Sequence, residues 1–327
     1  MARIRKSEFA YDAFTIEGSL ISPAKLAEVA LRKAEKQSEA DYLIPRGLTL
    51  RDELARYFRI GQALYRDLFA NPAPGFTATT RFAHALLRDV FGFSSITEFR
   101  EPHIHDGRNF PITLEALSGR VPVVVAPPAD DLDHASVHLS RDRRRSAFSA
   151  VQEWLNVEDA ALWGLAVNGE RLRLLRDNES LTRPAYIEAN LRQIFEAEDF
   201  ASFAVLWLIL HASRFGQPDT PVTDCILEQW RQAGAKQGIT ARNRLSGGVT
   251  EALLALGNGF LSHPHNATLR EYAASGGLPE FFQELLRLVY RLIFLLVAED
   301  RNLLHPPEIT ESVRQLYAEG WVIPRGR

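Results

Sequence analysis

Cysteine is nearly absent: Cys225 is the single one among 327 residues. That excludes an internal disulfide framework and a cysteine-based zinc site, and it fits a reducing cytoplasm. Long apolar runs are missing too. The N-terminal MARIRKSEF has no apolar core of the kind a secretory signal carries. The longest apolar run near the C-terminus, Leu292 to Ala298, is far short of a membrane span. A cytoplasmic chain with no membrane partner is therefore expected. The third lack is charge of one sign. The formal net charge is −3, so any contact with nucleic acid has to rest on local patches.

What is present is an ordinary globular composition, 46% hydrophobic and 24% charged, in a chain long enough for two domains. The best-determined stretch runs from Arg143 to Arg183. Ala147, Phe148, Val151, Trp154 and Leu155 recur at helical spacing within Ser146 to Asn156. Ala161 to Val167 is an apolar run long enough for a buried strand. Asn168-Gly169 signals a two-residue type I′ hairpin, and Arg171 to Arg176 alternates charged and apolar. Upstream, Ser22-Pro23 opens a short charged helix expected on the surface, Thr49 caps a helix from Leu48 to Ala70, and Thr80 to Phe91 forms a third. PITLEAL and VPVVVAPP, up to Pro128, read as strands joined at Ser118-Gly119, with Val121 to Val125 apolar on both sides as in a central strand.

Beyond Arg183-Pro184 the pattern becomes helical, with helices expected at Tyr186 to Glu196, Phe200 to Phe215 and Pro221 to Gly234. Further helices are expected at Val249 to Phe260, Thr268 to Ala274, Leu278 to Leu304 and Glu308 to Gly320. The near-continuous apolarity of FAVLWLILHA marks the second as central to a helical layer. The fold class is thus α+β: an N-terminal mixed sheet with flanking helices over residues 1–183, then a mostly α-helical connector over 184–327.

Residues with possible chemistry are few, and each leaves two readings open. Asp130, Asp131 and Asp133 follow the central strand, as a solvated loop or as carboxylates for a metal. His103-Ile104-His105-Asp106 and His263-Pro264-His265 have the donors for a metal but sit in polar loop sequence. His211 lies in an apolar helix, as a satisfied core histidine or a base. Arg143, Arg144 and Arg145 precede a helix. Lys236, Arg242 and Arg244 fall in a Gly-rich stretch, Ala233 to Gly248, read as a loop. Both groups fit a solvated surface or sequence-independent phosphate contact.

The order strand, helix, strand hairpin is the core order of a PD-(D/E)xK nuclease-like domain. That fold needs an acid and an ExK tripeptide on its central hairpin to bind magnesium and activate water. VPVVVAPP holds neither Glu nor Lys, so a nuclease-like scaffold without nuclease activity is expected. ALWGLAVNGERLRLLRDN, followed by YIEANLRQIF and FAVLWLILHASRF, resembles the N-terminal region of type IIG and related phage-defence N6-adenine DNA methyltransferases. In those proteins a WG-x-x-x-NG-x-x-x-x-L strand pair closes the nuclease-like domain. RLVYRLIFLLVAEDRNLL, Arg287 to Leu304, resembles the helix leading toward their catalytic domain, and EGSLISP at Glu17 to Pro23 their opening segment.

The resemblance implies a methyltransferase domain or subunit that uses S-adenosylmethionine, with DNA and other defence proteins as partners. It also points to Gln152, since the family nuclease often carries a Gln on that helix; an ordinary exposed helix residue is the other reading. The chain lacks the Gly-rich cofactor loop and the Asn/Asp-Pro-Pro-Tyr/Phe motif that grips a flipped adenine. Gly257-Asn258-Gly259 follows a helix and reads as a C-cap. No catalytic or cofactor-binding residue is therefore expected in it. Three functions stay open: a non-catalytic DNA-associated module of such a methylase, a scaffold that docks on defence subunits without touching DNA, and a surviving metal-dependent nuclease.

Overall fold

The computed structural model describes residues 9–18, 20–139, 145–177, 184–301, 303–305 and 309–320. Two compact units divide the chain, 1–238 and 239–327. The first is organised on a seven-stranded sheet. Its strands are β1 (Phe14–Glu17), β2 (Thr97–Glu98), β5 (Leu114–Ala116), β6 (Val121–Val125), β7 (Trp163–Val167), β8 (Arg171–Arg176) and β9 (Tyr186–Asn190), ordered β1-β9-β8-β7-β6-β5-β2. A two-stranded ribbon, β3 (His103–His105) with β4 (Arg108–Phe110), stands apart.

Every described pairing in the large sheet is antiparallel except β6 with β7, which are parallel. A parallel pair needs a crossover, and α4 (Ala147–Leu155) supplies it. Ser146 caps α4 by accepting from Ser149 N, and the Ser149 hydroxyl accepts from Ser146 N in return. Val151 and Leu155 are fully buried on the sheet, as their spacing predicts, while Phe148 is half-buried with its ring edge to Tyr186. All five residues of β6 and of β7 are buried, so both sheet faces are covered.

The other face carries α1 (Pro23–Ala30), α2 (Leu50–Leu68), α3 (Phe76–Ala85), α5 (Leu191–Glu196) and α6 (Phe200–Leu210). Ser22 and Thr49 cap α1 and α2 as expected. The buried α6 is central, holding Trp207 between Tyr42 and Tyr57. Unlike the expected surface helix, α1 is built in. Leu26 and Val29 are fully buried, and the Lys25 stem lies inside with its Nζ 2.6 Å from Glu28 and 3.0 Å from Glu35.

Three further expectations are corrected. Tyr186 to Asn190 is a strand, because β8 and β1 offer it partners on both sides and Ile187 and Ala189 fill the core. Helix α5 starts only after it, capped by Asn190. The stretch Ala233 to Gly248 is no loop: it lies inside α7 (Ile226–Ser262), which also absorbs Gly257-Asn258-Gly259. And 183/184 is not a structural boundary. Residues 184–238 belong to the first unit, tied to the N-terminal segment by Trp230 Nε1 donating to Glu35 O (3.1 Å) and Tyr42 Oη to Leu208 O (3.1 Å).

The second unit holds the rest of α7, then α8 (Ala267–Tyr272), α9 (Leu278–Asp300) and α10 (Glu311–Gly320). Among its described residues only Leu285, Val289 and Ala298 are buried apolar side chains.

Candidate functional site

The loop at the C-terminal end of β6 carries the acids singled out from sequence. Asp133 Oδ1 and Oδ2 accept from Arg173 Nη1 and Nη2 at 2.6 and 3.0 Å. Arg173 also donates to Glu188, its cross-strand neighbour on β9, at 2.6 and 2.9 Å. Its guanidinium lies 3.8 Å over the Tyr186 ring, and Glu188 takes a further bond from Arg171 at 2.7 Å. Hydrogen bonds from Arg173 hold the Asp133 carboxyl below the usual range, against the opposing effect of burial. Asp131 Oδ1 accepts from Asp133 N at 2.8 Å, and Asp130 accepts from the Ser136 hydroxyl.

Each of the three acids is thus engaged separately, which corrects the metal reading. Among the described residues no group of three or more His, Cys, Asp or Glu is placed to hold a metal ion. Nor is the loop simply solvated, since Leu132, Ser136 and Leu139 are buried. Its position is fixed by Asn168, whose Nδ2 donates to Asp130 O (2.9 Å) and whose Oδ1 caps Arg171 N (2.8 Å). That also corrects the turn. Asn168 N bonds Arg171 O, so Gly169 and Glu170 are the central pair, and the single positive φ is at Gly169 (+85°), as a type II′ turn requires.

A second cluster lies between the β3–β4 ribbon and α4. His103 packs on Phe99 and Trp154, with Nε2 3.5 Å from Glu115 Oε1. Burial pushes the Glu115 carboxyl up, opposed by His103 and helped by Glu158. His103 Nε2 and the Trp154 indole N–H are buried with no hydrogen-bond partner among the described residues. His103 and His105 are therefore strand residues rather than a solvated loop.

Four of the six basic candidates lie among the described residues. Arg143 and Arg144 lie outside the described residues. Arg145 is buried, donating to Asn109 O and lying 2.9 Å from Glu153 Oε2. It braces the ribbon against α4 and is unavailable to phosphate, which corrects its assignment. Lys236, Arg242 and Arg244 are exposed on α7. At about 100° per residue, Arg242 and Arg244 point to nearly opposite sides of the helix.

Gln152 is buried, not exposed, and donates to Asn156 Oδ1 at 3.1 Å. His211 is a core histidine: its Nδ1 is 2.8 Å from Ser213 Oγ, and burial, with Arg214 adding to it, lowers its pKa to about 4. His263 and His265 are exposed in the turn before α8.

Sequence reasoning missed Arg173, Glu188 and Glu115. The first two had a signal. RLRLLR and YIEAN place Arg173 and Glu188 opposite each other once both are strands, and only the helical reading of YIEAN hid it. No described helix is long and apolar enough to cross a membrane. No family model, curated protein or solved structure matches this chain.

Proposed function

We propose that this chain is a non-catalytic module of a restriction-modification or phage-defence DNA adenine methyltransferase, serving DNA association or assembly. Its nuclease-like sheet would act as scaffold, and S-adenosylmethionine would be bound by a catalytic domain or subunit outside residues 1–327. The observation that carries this is the placement of the strand-pair motif. Trp163-Gly164 and Asn168-Gly169 sit where β7 meets α4 and α2, beside a central strand β6 made only of valine and proline. The acids beyond β6 are spent on Arg173, Ser136 and a backbone N–H. That supports a scaffold over the nuclease alternative.

The purified chain should neither cut DNA with magnesium or manganese nor bind S-adenosylmethionine in calorimetry. Adenine methylation should appear only when the methyltransferase polypeptide encoded with it is present. Metal-dependent cleavage lost in Asp133→Asn would overturn the proposal. The scaffold reading, without DNA contact, is favoured by two observations: Arg145 is buried, and Arg242 and Arg244 point to nearly opposite sides of α7. Equal duplex affinity and salt slope for the parent and a Lys236, Arg242, Arg244 triple alanine variant would select it.

A further inference from the structure

Of the 20 large apolar residues exposed among the described residues, 14 lie between Ile239 and Leu316. Three buried apolar residues cannot hold these helices together, and a helix apolar nearly all round needs burial on every side. From Leu288 to Ala298, α9 reads LVYRLIFLLVA, with Arg291 its one charge. Two faces of α9 are open. One is a groove of about 400 Å³ against α7, lined by Leu254, Gly257, Leu278, Phe282 and Leu285. The other is outward: Tyr290, Phe294, Leu295 and Val297 are 59%, 72%, 46% and 46% exposed. Nine residues at about 100° each put Phe294 half a turn from Leu285.

We infer that the α7–α9 pair is a docking surface for a folded protein domain with a broad apolar face of low net charge, which encloses α9 on both sides. Which domain this is rests on the function proposed above: the adenine methyltransferase. Charge argues for such a partner. Residues 239–327 contain nine Arg, no Lys and nine Asp plus Glu, so nothing selects a polyanion. Area argues for it too. Phe282, Tyr290 and Phe294, at 50%, 59% and 72% exposure, leave roughly 350 Å² of aromatic surface bare. Leu245, Leu254, Leu278, Leu295 and Val297 raise this to the order of the ~800 Å² that one side of a stable interface buries. A second copy fits less well. A two-fold contact covers one face, and closing the other needs a different, open-ended contact.

The test is light scattering and calorimetry on the full chain with the methyltransferase polypeptide encoded beside it. Three chains are compared: the parent, Tyr290→Asp/Phe294→Asp, and Leu254→Asp/Phe282→Asp. Hydrogen exchange over residues 278–300 is followed in parallel, and tryptophan fluorescence verifies the sheet unit in each variant. A one-to-one complex is expected, with α9 protected within it, and each pair of substitutions should weaken it by at least about 100-fold. A complex indifferent to both pairs overturns this surface and leaves the methyltransferase reading standing. No complex with the parent overturns both. Strong protection of α9 in the parent alone, a homodimer dissolved by the outward pair, or binding to phosphatidylcholine–phosphatidylglycerol vesicles abolished by either pair overturns the inference.

Discussion

Glu228 offers the sharpest test of how the first unit is held together. It sits in the first turn of α7 with its side chain 3% exposed. It accepts from Arg176 Nε on β8 at 2.9 Å, from Arg231 Nε and Nη2 at 3.0 and 2.7 Å, and from Gln232 Nε2 at 3.3 Å. Burial alone would raise its pKa, but the bonds from Arg231 and Arg176 outweigh that and hold it at about 2, against an ordinary 4.5. A carboxylate so depressed favours the folded state by about 3 kcal/mol at neutral pH.

The sign follows from which state binds the proton first. Above about 4.5 both states are ionised and the contribution is whole. As pH falls from 4.5 toward 2 the unfolded chain is protonated first, and the contribution is lost. Glu228→Gln should therefore lower the unfolding free energy by about 3 kcal/mol at pH 7. That gap should close on acidification. Urea titrations followed by tryptophan fluorescence at pH 7, 5, 4 and 3 measure both. A loss under about 1 kcal/mol at pH 7, or one that does not shrink with acid, would refute the reasoning.

His211 should act in the same sense, over a higher pH range. Its pKa of about 4 lies below the ordinary 6.5, so stability is lost as pH falls from 6.5 to 4; His211→Gln should flatten that slope in the same titrations. Glu115 is pushed up by burial, so its ionised form is a burden as pH rises, and Glu115→Gln should raise the urea midpoint at pH 7. Gly164→Ala should cost about 1–3 kcal/mol, because the new Cβ would lie 2.7 Å from Val151 Cγ1 and 3.2 Å from Pro122 O. If α7 touches DNA, the Lys236, Arg242, Arg244 triple alanine variant should shallow the slope of log K against log salt by at most about 1.8. That is two contacts, since the two arginines point apart.

Much of the sheet unit was legible because local signals and tertiary demand agree there. Ser146 caps, Val151 and Leu155 face the sheet, and β6 is apolar on both sides. Where they disagree the sequence misleads. YIEAN has no strong strand pattern, and its neighbours β1 and β8 decide it from 170 and 15 residues away. In α7, Gly238, Gly247 and Gly248 each cost about 1 kcal/mol against Ala. Composition therefore argues for a loop, yet these glycines lie within a continuous 37-residue helix. The charged candidates were least legible. Proximity in sequence grouped Arg143, Arg144 and Arg145, while the fold consumes Arg145 in bracing the ribbon. Glu115 on β5 and His103 on β3, 12 residues apart in sequence, come within 3.5 Å only in the fold, where His103 packs on Phe99 and Trp154.

The glycines of the strand-pair motif decide what a resemblance through it can mean. A Cβ at Gly164 would meet Val151 on α4, and one at Gly169 would meet Leu68 on α2 at 2.9 Å and Pro128 at 3.3 Å. Gly164 thus lets α4 approach one face of β7, and Gly169 lets α2 approach the turn that follows it. Asn168 holds the loop after β6 in register with that turn. Both glycines of the motif are therefore explained by close approach and Asn168 by its hydrogen bonds. Sequences sharing it would share a way of clamping a sheet between helices, with the chemistry left to whatever replaces VPVVV and the acids beyond it. Restoring chemistry here would take more than adding carboxylates to β6. Each residue of that strand is buried, so a Glu or Lys introduced there enters the core unpaired and should unfold the unit before it binds a metal.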